Sequence, residues 1–145
     1  QAADVIRWHV VAMFAPGFFT GSLIQRFGAG RIAALGLLIL MVSALLALAG
    51  LELLNFYTAL IFLGIGWNFA FISGTYMLQS AAKAEEAALL QGANDTILAI
   101  SSAAATFVSG ALFAGLVWGV LVAVSIPVTL LFAAMLFRKS RAAQV

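Results

Sequence analysis

The sequence predicts an all-α integral membrane protein, a polytopic helical bundle of about five transmembrane helices. Three observations lead there. The 145 residues are 65% hydrophobic and only 8% charged, with a mean hydropathy of +1.16, whereas soluble domains carry about 25% charge. So few ionised side chains cannot solvate a globule, and the lipid bilayer must be the solvent for most of the chain. The apolar residues also come in continuous runs of roughly the 20 residues that a helix needs to cross hydrocarbon. These runs lack the alternation of a barrel strand, so helices are left to satisfy the backbone within lipid.

The first span covers about residues 5–25. Pro16 lies in its middle, followed by Gly17. A proline removes a backbone donor, so a kink is expected there. A short basic hairpin, Gly21 to Arg31, then joins the first span to a second at about 32–54. Glu52 marks a short turn before the third span, about 56–80. The hydrophilic stretch from Ala81 to Gly92 holds Lys83, Glu85 and Glu86 among alanines and leucines. It reads as a surface helix or an extension of span three, since those residues favour helix. The fourth and fifth spans, about 94–114 and 115–137, have no charge between them. Their turn is expected among the small residues from Gly110 to Gly115, because one continuous helix would overshoot the bilayer. A cytoplasmic tail of 138–145 follows.

Basic residues set the orientation. With alternating spans, Arg26, Arg31, Lys83, Arg138, Lys139 and Arg141 fall on one side, and Arg7 alone on the other. Excess Lys and Arg marks the cytoplasmic side, so the N-terminus is expected outside and the C-terminus inside. Trp8, Tyr57 and Trp118 then lie near outer helix ends, as an interfacial aromatic belt requires.

The composition also excludes several classes. There are no cysteines and one histidine, which removes disulfides, thiolate nucleophiles and histidine-rich metal centres. A net charge of +2 is no nucleic-acid footprint. The spans hold no pair of carboxylates and no Ser/His/Asp set, so an enzyme is not expected, nor is a cofactor or metal. The chain starts at Gln1 rather than Met, and is expected to be a piece of something longer.

Polar residues are unevenly shared. Span two holds only Ser43, and span five only Ser125 and Thr129 beyond Trp118. Span three instead carries Gly64, Asn68, Ile72, Thr75 and Gln79 on one helical stripe. Span one places His9, Met13, Pro16 and Thr20 on one face, and span four carries Asn94, Asp95, Ser101, Ser102, Thr106 and Ser109. A polar group facing hydrocarbon costs several kcal/mol, so spans one, three and four should face protein or a water-filled path. Small residues also permit close helix packing. Gly17/Gly21, Gly115/Gly119 and Ser101/Ala105/Ser109 have the right spacing for it.

The hairpin resembles the signature loop of the major facilitator superfamily, roughly G-x-L-a-D-r-x-G-r-k. Gly21, Leu23, Arg26, Gly28 and Arg31 fit it, while Gln25 stands at the acidic position. The run Leu63 to Phe69 is similar to the tenth helix of certain bacterial members. Gln91 to Asp95 resembles the entry to their eleventh helix, and Trp8 to Gly21 their eighth. The resemblance implies helices eight to twelve of a C-terminal half, without the N-terminal half and helix seven.

What the resemblance implies is a secondary transporter moving a small solute, with or without a coupling ion, by alternating access. It points to a bacterial inner membrane and to a fragment inactive alone. Asn68, Trp67, Ile72, Thr75 and Met13 are then the residues expected to touch substrate. Gly21, Arg26, Gly28 and Arg31 form the loop. Asp95, read as the cytoplasmic start of span four, either caps that helix or latches to Arg26 or Arg31. His9 and Asp4 near the outer mouth are candidates for a proton relay, set against a plain interfacial role. The alternative is a non-transporting five-helix scaffold or subunit.

Overall fold

A computed structural model of the chain describes residues 2–50, 52–115 and 118–142. It is all-helical: α1 (Ala2–Phe14), α2 (Gly17–Phe27), α3 (Ala29–Ala49), α4 (Leu53–Ala81), α5 (Ala87–Gly115) and α6 (Trp118–Ala142). At 1.5 Å per residue, the 21 residues of α3 span about 31 Å and the 29 of α4 about 43 Å. Both are long and apolar enough to cross a membrane. Large apolar side chains such as Phe18, Leu54 and Phe107 stand exposed on the outer faces, as a bundle solvated by lipid requires.

The first predicted span is two helices. The break falls at Ala15 and Pro16, where the kink was expected. Pro16 has no N–H to offer Ala12, and the new helix restarts with Phe19 and Thr20 N–H groups on the Pro16 carbonyl. Pro127 breaks nothing, and α6 runs through it.

Gly28 alone separates α2 from α3. Its φ of +86° is open to glycine and strained for other residues. Its N–H closes α2 on the Ile24 carbonyl, and its carbonyl takes the Ile32 N–H of α3. At the other end, α3 stops at Ala49, earlier than expected. Gly50 follows in extended backbone, and the Asn55 side chain fills the space beside it, its Nδ2 2.6 Å from where a Cβ would be.

The hydrophilic segment is shorter than the sequence suggests. Helix α4 ends at Ala81 and α5 begins at Ala87, so only 82–86 form the turn. The Leu90 N–H already bonds the Glu86 carbonyl, which places the Ala/Leu-rich remainder in α5. Likewise Gly110 to Gly115 continue α5 instead of turning. Residues 116–117, between α5 and α6, lie outside the described residues, as does the end of the expected tail, 143–145. Residues 138–142 continue α6.

Helix α4 is the axis. It packs most extensively on α3 and next on α1, with lighter contacts to α2 and α5, while α3 also covers α6. The α3–α4 crossing is built from glycines. A Cβ on Gly36 would sit 2.6 Å from the Ala70 nitrogen and 2.8 Å from the Gly66 carbonyl. One on Gly66 would sit 2.8 Å from the Gly36 carbonyl. Ala33 and Ala34 of α3 and Ala59 of α4 are also buried. Such small residues let backbones approach and gain dispersion where the hydrophobic effect gives no advantage. Gly21, proposed from spacing as a packing position, has nothing within 4 Å of where its Cβ would be.

Candidate functional site

The densest polar construction is where α4 crosses the broken helix α1–α2. Asn68 is 3% exposed and Thr20 fully buried. The Asn68 Nδ2 donates to the Met13 carbonyl at 2.7 Å, and the Thr20 hydroxyl lies 2.8 Å from Asn68 Oδ1. A carbonyl can only accept, so the amide group must face Met13 and its oxygen must face Thr20. The single Thr20 proton then goes to Asn68, although the Pro16 carbonyl also lies at 2.8 Å. That carbonyl already accepts the Phe19 and Thr20 N–H groups, so it loses little.

One side chain of α4 thus ties both pieces of the broken helix. Asn68 was expected to face a cavity. In this conformation its amide is committed to Met13, before the break, and Thr20, after it. Gly17 is accommodated against it, 3.5 Å from Cβ position to Nδ2. The sequence missed Thr20 as Asn68's partner, although both sit at the level of Pro16–Gly17 on the expected polar stripes.

Two further rungs lie toward the α1 N-terminus. Gly64 brings the backbones together: a Cβ there would be 2.8 Å from the His9 carbonyl and 2.9 Å from the Met13 nitrogen. His9 Nδ1 then lies 2.7 Å from the Leu60 carbonyl, and must carry the proton to donate to it. Asp4 does not meet His9. It pairs with Arg7 at 3.2 Å, one turn along α1 and well exposed.

Of the remaining predicted residues, Trp67, Ile72 and Thr75 lie on α4 and Met13 on α1. Trp67, Ile72, Thr75 and Met13 are all half-buried. Trp67 stacks on Phe71 with ring centroids 4.7 Å apart and planes 8° from parallel.

A cavity of about 620 Å³ opens between α3, α4, α5 and α6, lined by Leu40, Ser43, Leu60, Leu63, Ser125 and Thr129 among others. Ser43 donates to the Ala59 carbonyl and Thr129 to the Ser125 carbonyl. Their protons are therefore turned away from the cavity. Ser43 of span two and Ser125 and Thr129 of span five thus lie at one cavity between the helices.

At the hairpin, Arg26 is exposed, with its guanidinium 5.2 Å from the centre of the Phe27 ring. Gly21 is exposed on α2 and Arg31 exposed near the start of α3. Asp95 does not open its helix, because α5 starts eight residues earlier, at Ala87. The dipole argument for Asp95 therefore fails, since that field fades within the first turn. Its carboxylate instead accepts from Gln91 Nε2 at 2.8 Å and lies 3.4 Å from Asn94 Nδ2. Among the described residues no group of three or more His, Cys, Asp or Glu is placed to hold a metal ion.

No family model matches the chain, and no solved structure matches it. Curated proteins do. The riboflavin transporter RfnT of Brucella anthropi is 50% identical over 118 residues, covering 81% of this chain and 30% of that protein. The uncharacterized MFS-type transporter YdeG of Bacillus subtilis is 35% identical over 133 residues, 86% of this chain and 31% of the relative. YddS, another uncharacterized MFS-type transporter of that organism, is 36% identical over 108 residues, 73% of this chain and 25% of the relative. The chain therefore spans under a third of the length of these relatives. A membrane bundle of helices, a glycine-hinged loop between α2 and α3 and three such relatives agree: the chain belongs to the major facilitator superfamily.

Proposed function

We propose that this chain forms helices eight to twelve of a secondary transporter that carries a small solute by alternating access, with riboflavin the first solute to test. The observation that carries this reading is the 50% identity to a protein named as a riboflavin transporter. The geometry supports it. Transporters of this kind build their sites near the midplane with discontinuous helices, and α1–α2 is a discontinuous helix clasped at its break by a buried amide.

In this reading Met13, Trp67, Ile72 and Thr75 border the solute path. Asn68 holds the bend that shapes it. His9, bonded to Leu60, and Asp4, paired with Arg7, are not joined to one another, which favours the interfacial role over a proton relay. Arg26, Arg31, Gly21 and Gly28 form the loop on the cytoplasmic side of a bacterial inner membrane, with the N-terminus outside. An N-terminal half covers exposed α5 side chains such as Ile97, Ile100 and Phe107. The 145 residues alone then carry no flux.

The test is uptake in a riboflavin-auxotrophic bacterium expressing the full-length protein that contains this sequence. Growth on low riboflavin and accumulation of labelled riboflavin are expected. Absence of both, with the protein present in the membrane, would refute riboflavin as solute. Flux through liposomes holding only this chain would refute the need for the other half.

A further inference from the structure

Six threonines occur in the chain; four turn their hydroxyl back onto their own helix, and Thr20 gives its proton to Asn68. Thr58, Thr96, Thr106 and Thr129 each lie within 2.9 Å of the carbonyl four residues before. This is the ordinary way for a helix to satisfy a hydroxyl in an apolar medium. Thr75 does not do so, and no protein group among the described residues takes its proton. It is half-buried on α4, one turn beyond Phe71, which is itself one turn beyond Trp67.

The pair below it is equally unusual. Trp67 and Phe71 are near-parallel and stacked. Phe71 keeps 38% of its surface exposed. Side chains at i and i+4 share a helix face, so two flat apolar rings and one unspent hydroxyl follow one another along a single edge of α4. That edge is not the one used for packing. Asn68 and Gly64 meet α1–α2, and Gly66 meets α3.

The geometry points to the Trp67–Phe71–Thr75 edge as the seat of a planar, fused-ring heteroaromatic solute. The ring system lies against the stacked aromatics, and the Thr75 hydroxyl meets a polar atom on its rim. Aromatic rings gain beyond area burial when offset-stacked on another π face. A hydroxyl adds direction, because a solute lacking the matching polar atom leaves it unpaired. Phe71 is then a specificity residue that residue pattern alone did not single out. The cavity among α3–α6 is a poorer seat for such a solute, since Ser43 and Thr129 turn their protons away from it. This inference rests on the transport reading given above, and deepens it.

The experiment uses the full-length protein, purified in detergent, with riboflavin and the side-chain-free flavin ring compound lumichrome as probes. Flavin fluorescence is quenched when the ring stacks on an indole, so binding and stacking are read together. Wild type is expected to bind and quench. Phe71→Leu should weaken binding by about tenfold, in line with the stacking of a heterocycle on an aromatic side chain. Phe71→Tyr, which keeps the ring, should bind nearly as wild type. Thr75→Val should weaken binding about fivefold while leaving the quenching of bound ligand intact. Trp8→Phe, at an exposed aromatic on α1, serves as control, and melting temperatures establish that each variant is folded. Wild-type affinity in both Phe71→Leu and Trp67→Leu would overturn the proposal. The transport reading fails separately. If riboflavin is neither bound nor taken up while lumichrome binds in a Phe71-dependent way, the solute is wrong and the seat is right. If neither probe binds wild type, the seat is wrong.

Discussion

The two flanks of α4 are held by different chemistry. Toward α3 the contact is backbone against backbone at Gly36 and Gly66, with buried alanines on both helices and one hydrogen bond from Ser43 to the Ala59 carbonyl. Toward α1–α2 it is a ladder of polar rungs, His9 to Leu60 and Asn68 to Met13 and Thr20, with Gly64 letting the helices close between them. A glycine crossing depends on shape and tolerates no added atom. A hydrogen-bonded crossing tolerates separation, because each group can take another partner or a water. Both flanks close on a glycine, at Gly66 and at Gly64, and the difference is that the α1–α2 flank adds polar rungs with directional partners.

The largest effect should come from breaking the shape-dependent flank. Gly66→Leu places side-chain atoms inside backbone contact distance on α3, beyond the usual overpacking cost of about 1–3 kcal/mol. Little folded protein is expected, read by membrane yield and by melting in detergent. Normal yield would show that the two backbones are not in close contact.

Asn68→Leu comes next. The Thr20 hydroxyl can fall back on the Pro16 carbonyl 2.8 Å away, so Met13 alone is orphaned. A loss of about 1–2 kcal/mol is expected. The folded variant should lose most uptake, because the bend of α1–α2 is no longer tied across its break. Full uptake would detach the clasp from function.

Gly28→Ala should cost about 1–3 kcal/mol, from forcing a Cβ into a backbone at φ +86°, ψ 143° that glycine alone adopts freely. Melting of the purified protein checks it, and a stabilised variant would contradict the turn. Smallest is Asp4→Asn. Its pair with Arg7 is well exposed, and such pairs contribute between about zero and 1 kcal/mol. Uptake and melting should both stay at wild-type level. A large loss of uptake would instead revive Asp4 as part of a relay.

Helix class, the polar stripes on α1 and α4, and the break at Pro16 could all be read from the sequence, because each follows from local composition or spacing. Asn68 stood out for the same reason: a bland membrane helix would place an apolar residue there. Its partners did not, since Thr20 is 48 positions away and is chosen by how the helices cross. The glycines show the same limit. Gly17/Gly21 had the expected spacing, yet the working crossings use Gly36, Gly64 and Gly66, each opposite backbone of another helix. Small-residue spacing marks where helices can approach, and only the tertiary arrangement selects which do. Asp95 was misplaced for a simpler reason. Charge at Lys83, Glu85 and Glu86 suggested a long surface segment, while the alanines and leucines after them carry α5 back to Ala87.

Whether Asn68 couples the two pieces of the broken helix is decided by a double-mutant cycle on Thr20→Val and Asn68→Leu. Melting and riboflavin uptake are measured for both single variants and the double, beside a control cycle pairing Thr20→Val with Ser43→Ala on the opposite flank. With the clasp in place, the double should lose little more than Asn68→Leu alone, a coupling of about 1 kcal/mol, while the control cycle is additive. Additive losses in both cycles would contradict the clasp.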